Sequence, residues 1–127
     1  RPTADVLNTL SDYYVRGGQH DRAIATYQKI LPRVSKKAPV YASLGHAYSL
    51  KGNPDKAVEF YKLALRHDPR DDAVYVRLGE VYEKKQMYSE ALNAYRSAYE
   101  LNNESKKAAD RFRALKIRML EQKNREG

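Results

Sequence analysis

An all-α solenoid of three helical hairpins and one further helix is the fold predicted by this chain of 127 residues. Three observations predict it. Apolar and small residues recur at an offset of 34. Within each copy they follow helical spacing. In the middle copy, turn-forming residues separate two such helices.

The repeat is plainest in the middle of the chain. Tyr41, Leu44, Gly45 and Tyr48 lie 34 residues before Tyr75, Leu78, Gly79 and Tyr82. At the same offset Ala57 precedes Ala91, Tyr61 precedes Tyr95, and Ala64 precedes Ala98. Sliding back by one period gives Leu7, Leu10, Ser11, Tyr14, Ala23, Tyr27 and Ile30. Tyr41, Leu44 and Tyr48 form one helical stripe, and Ala57, Tyr61 and Ala64 form another. Between the two stripes, Gly52 suits a helix C-terminus, Asn53 an N-cap and Pro54 a first helical position. Hairpins are expected over about 5–31, 39–67 and 73–101. Gly45 is expected to face Ala57, Gly79 to face Ala91, and Ser11 to face Ala23, since small side chains let helix backbones approach closely. One hairpin cannot bury its own apolar face, so the hairpins must stack.

The pattern of Tyr41, Leu44, Gly45, Tyr48, Ala57, Tyr61, Ala64 and Pro69 resembles the tetratricopeptide repeat signature at every place. The third copy departs from it only at Asn103, where the signature has proline. The first copy is weaker, with Ser11 for glycine, Ile30 for alanine and an early Pro32, and its exit over 32–37 is expected to be irregular. The resemblance implies a single domain wound as a right-handed superhelix, with repeats over 4–37, 38–71 and 72–105. A capping helix over about 106–124 follows, its apolar stripe made by Ala108, Phe112, Leu115 and Met119. The tail from Gln122 is expected to fray.

Family members of this kind bind a peptide or helix of another protein on a concave wall made by the first helix of each repeat. By repeat position that wall holds Asn8, Asp12 and Arg16, with Asp5 and Thr9 beside them. Ser43, His46 and Leu50 follow in the second repeat, with Ala42. Val76, Arg77, Glu80 and Lys84 follow in the third, and Asp110 and Arg111 close the end. The wall is polar and of mixed sign, which suits a partner bearing both charges. One subclass clamps the acidic tail of heat-shock chaperones with Lys, Asn, Asn, Lys and Arg. The matching positions here hold Asn8, Asp12, Ser43, Ala73 and Arg77. Only Arg77 agrees, and Asp12 would repel carboxylates, so that partner is not expected.

The formal net charge is +8, of which residues 106–127 carry +5. Lys107, Arg111, Arg113, Lys116 and Arg118 form a basic surface, and non-specific binding of nucleic acid or another acidic surface is the alternative function. With Phe112 assigned to the apolar stripe, such binding is expected to be through phosphates rather than by stacking on bases. Eleven tyrosines are present, and Tyr13, Tyr88 and Tyr99 lie outside the repeat positions as possible anchors. Asn103-Glu104-Ser105 matches a glycosylation acceptor, a pattern common by chance. With no cysteine there is no disulfide, thiol nucleophile or Cys-based metal site. No phosphate loop, metal-spaced His and carboxylate pair or nucleophile motif occurs, so no enzyme activity, cofactor or metal is expected. No apolar run is long enough to span a membrane. The chain opens without Met and reads as a soluble intracellular piece of a larger protein. Pairing with a second copy through the exposed flank of the first hairpin is a further expectation.

Overall fold

The computed structural model describes residues 2–126. Among the described residues, seven α-helices run in chain order: α1 (Ala4–Arg16), α2 (His20–Ile30), α3 (Ala38–Lys51), α4 (Pro54–His67), α5 (Asp72–Lys84), α6 (Tyr88–Leu101) and α7 (Lys106–Glu126). No strand occurs among the described residues. The expected hairpins are α1–α2, α3–α4 and α5–α6, and their ends match the sequence reading to within a residue or so. The chain divides into two compact units, one running to Pro69 and one starting at Arg70.

Local chemistry sets each helix end. Thr3 caps α1 by accepting from the Val6 amide at 3.2 Å. Asn53 does the same for α4 through the Lys56 amide, and Pro54 takes the first position. Asp71 caps α5 through the Val74 amide, and Ser105 caps α7 through the Ala108 amide. Each such bond satisfies a donor that the first helical turn leaves unpaired. The three intra-hairpin turns share one geometry. Gly18, Gly52 and Gln86, each 34 residues after the last, all take positive φ, at 76°, 89° and 62°. The next amide then reaches back to close the helix: Gln19 to Tyr14, Asn53 to Tyr48, and Met87 to Tyr82.

In the first unit the core joins α2 to α3 through Ile24, Tyr27, Ile30, Val40, Leu44 and Ala47. Phe60 stacks on Tyr48 with ring centroids 5.4 Å apart. The irregular exit of the first hairpin is a short 3-10 turn over Leu31–Arg33. Lys37 Nζ ties it down by donating to the carbonyls of Leu31 and Val34, at 2.6 and 3.1 Å.

In the second unit α6 packs on both α5 and α7. Tyr95, Ala91 and Ala98 of α6 are fully buried, as are Ala108 and Leu115 of α7. Each large apolar side chain buried in this way stabilises by roughly 1.5–3 kcal/mol.

A Cβ on Gly45 would meet the Tyr61 ring first, and one on Gly79 the Tyr95 ring, so each glycine makes room for the aromatic of the second helix. Three expectations are corrected. Leu10, expected in the core, is 38% exposed. Val76, expected on the binding wall, is only 4% exposed, its apolar branched side chain drawn inward. Helix α7 continues to Glu126 rather than fraying from Gln122.

Candidate partner-binding surfaces

In the first unit the expected residues are carried by α1 and α3. Asn8, Asp12 and Arg16 are exposed, Ser43 and His46 are half-buried, and Leu50 is exposed. Two of them are tied to a buried side chain. Tyr27 of α2 donates its hydroxyl to Asp12 Oδ1 at 2.7 Å. That hydroxyl is held far above its ordinary pKa, first by burial, then by the bond to Asp12 and its negative charge, while a hydrogen bond with Ser43 acts in the opposite direction. Two expected wall residues, Asp12 and Ser43, therefore meet on one buried phenol.

The second unit repeats the device with a different carboxylate. Tyr95 of α6 donates to Glu83 Oε1 at 2.6 Å. Its pKa is again raised, first by burial and then by Glu83, with Arg111 partly opposing the shift. Repeat position gave Tyr27 and Tyr95 as core residues but did not single out Glu83; an acidic residue on the first helix opposite a repeat tyrosine on the second was the available signal.

Helix α7 brings its cations to this same place. Arg111 reaches Glu80 Oε2 at 2.8 Å, and Lys107 lies 4.0 Å from Oε1 of the same carboxylate. Arg118 lies 3.8 Å from Glu83 and stands over the Tyr88 ring at 5.3 Å. Arg113 is 3.8 Å from Asp110, and Lys116 stands over the Phe112 ring at 5.8 Å. Four of the five residues expected as a free basic surface are thus ion-paired within the unit. Such exposed pairs contribute little stability, but they lower the positive potential offered to a polyanion.

Beside these pairs lies a cleft of about 440 Å³ lined by Glu83, Lys107, Asp110, Arg111, Ala114, Leu115 and Arg118. The Nε of Arg111 is buried and meets no hydrogen-bond acceptor among the described residues. Arg77 and Lys84 of α5 are exposed, and Glu80 is half-buried. No described group of His, Asp and Glu residues is placed to hold a metal ion. No described helix is long and apolar enough to cross a membrane.

Three segments match sequence profiles of the tetratricopeptide repeat: residues 4–31, 38–71 and 73–105. No curated protein matches the chain in sequence. Solved structures do match it in fold. The Sgt2 TPR domain from Aspergillus fumigatus superposes with a TM-score of 0.86 at 25% identity, over 98% of this chain and 83% of that one. The first TPR of Spaghetti (RPAP3), bound to the HSP90 peptide SRMEEVD, gives 0.84 at 22% identity, over 93% of this chain and 94% of that one. The second TPR domain of human RPAP3, in complex with the HSP70 peptide SGPTIEEVD, gives 0.80 at 18% identity, over 89% and 94%. With three repeat segments in register and this likeness of fold, the chain belongs to the tetratricopeptide repeat family.

Proposed function

We propose that this chain is a protein-binding module that takes a segment of a partner protein on the first helices of its repeats: α1 and α3 in one unit, α5 with α7 in the other. The observation that carries the reading is the cleft beside α5 and α7. It joins charges of both signs to an apolar floor at Leu115. Related TPR domains are bound to peptides of other proteins, which supports the same kind of use here.

The partner segment carries both charges rather than a run of carboxylates. Asp12 and Ser43 stand where a carboxylate clamp needs amides, and both are engaged with Tyr27. The peptide SRMEEVD tests this point: no saturable binding is expected in calorimetry, and micromolar binding would contradict it. Nucleic acid is the less favoured ligand, because Lys107, Arg111, Arg113 and Arg118 are already paired.

The test is capture from a lysate with and without nuclease, beside the variant Arg77→Glu, His46→Ala. A protein retained through nuclease and lost by the folded variant supports the proposal. Retention that vanishes with nuclease and is unchanged in the variant overturns it.

A further inference from the structure

One helix face in the first unit is apolar and open. Val6, Leu10 and Tyr13 of α1 are 57%, 38% and 70% exposed. With Asp5 and Thr9 they line a shallow cleft of about 480 Å³. The repeat itself says what covers these positions elsewhere. Their counterparts on α3, one period on, are Val40, Leu44 and Ala47, all buried, and α2 packs there. Their counterparts on α7 are Ala108, Phe112 and Leu115, and α6 packs there. In both cases the covering helix offers apolar residues three apart: Ile24, Tyr27 and Ile30 on α2, and Leu92, Tyr95 and Ala98 on α6.

On α7, Ile117 and Leu120 are likewise three apart and stand exposed, at 51% and 55%. The charges around the two faces are complementary. Helix α1 carries Asp5 and Asp12 against Arg16 alone, whereas the exposed pair on α7 is flanked by cations. Arg113 and Lys116 sit one turn before Ile117 and Leu120. Like faces would set Asp5 against Asp5 or cations against cations, so pairing of unlike faces is favoured.

We infer that the chain self-associates head to tail, the α1 face of one copy receiving the exposed face of α7 of a second copy. Each copy carries one face of each kind, so the contact joins unlike faces.

Sedimentation equilibrium over a concentration series tests it, using the parent, Leu10→Glu and Ile117→Glu. Both positions are exposed, and circular dichroism checks that the helices persist; Tyr13→Lys stands in for Leu10→Glu if that chain unfolds. The parent mass is expected to rise with concentration, and each variant alone to remain monomeric. An equimolar mixture of the two is expected to form a dimer of twice the monomer mass, since one intact face of each kind remains. A parent that stays monomeric throughout overturns the proposal. So does an Ile117→Glu chain that associates as the parent does, or a mixture that fails to pair.

Discussion

Gly79 lies so close beneath Tyr95 that a Cβ built on it would fall 2.5 Å from the ring. Tyr95 is fully buried and its hydroxyl is anchored on Glu83, so the ring cannot swing aside. Gly79→Ala is therefore expected to lower stability by about 1–3 kcal/mol through overpacking, despite alanine's higher helix propensity. Gly45→Ala should behave alike, because its Cβ would stand 2.7 Å from Tyr61. Gly17→Ala, with nothing nearer than 3.5 Å, should change stability little. Urea unfolding of the three variants checks the contrast.

The bond from Tyr95 to Glu83 has its own signature. Tyr95→Phe keeps the ring and removes the donor, at an expected loss of about 1 kcal/mol. Glu83 is partly exposed and regains water, which keeps the loss at that level. A double-mutant cycle with Glu83→Gln measures the coupling.

The two buried phenols also set a pH dependence. Both are held above the ordinary tyrosine value of 10.0 in the folded chain. The folded state therefore keeps protons that the unfolded state releases. The stabilisation is fully present below about pH 10 and is lost as pH rises through the window above it. Stability should fall steeply on going from pH 9.5 to 11.5. The double variant Tyr27→Phe, Tyr95→Phe should show a shallower fall in thermal melts over the same range.

Gln86 occupies the left-handed turn position that Gly18 and Gly52 fill in the other hairpins. A side chain in that conformation costs about 1–2 kcal/mol, part of which glycine returns in backbone entropy. Gln86→Gly is expected to raise stability by up to about 1 kcal/mol, visible as a higher urea midpoint with an unchanged slope.

Much of the fold was legible because a 34-residue period carries its own register. Gly52, Asn53 and Pro54 marked a turn that the structure places between α3 and α4. Long-range pairing was not legible. Arg111 and Glu80 are 31 residues apart, and nothing in the spacing along α7 says that its cations meet α5. The same holds for Tyr27 and Asp12, whose types alone suggested a core residue and a solvated one. Leu10 was misplaced because a repeat position promises burial only where a neighbouring helix covers it. Val76 was misplaced for the opposite reason: its position along the repeat was read without weighing its apolar side chain.

A photo-crosslinking amino acid placed at Ser43 or Arg77, and as controls at Lys62 or Glu100, tests most directly that partners dock on the first helices. These sites lie on α3, α5, α4 and α6 respectively. With a partner obtained by capture, crosslinks are expected from positions 43 and 77 and not from 62 and 100. Crosslinks confined to positions 62 and 100 would contradict the proposal and place the working surface on the second helices.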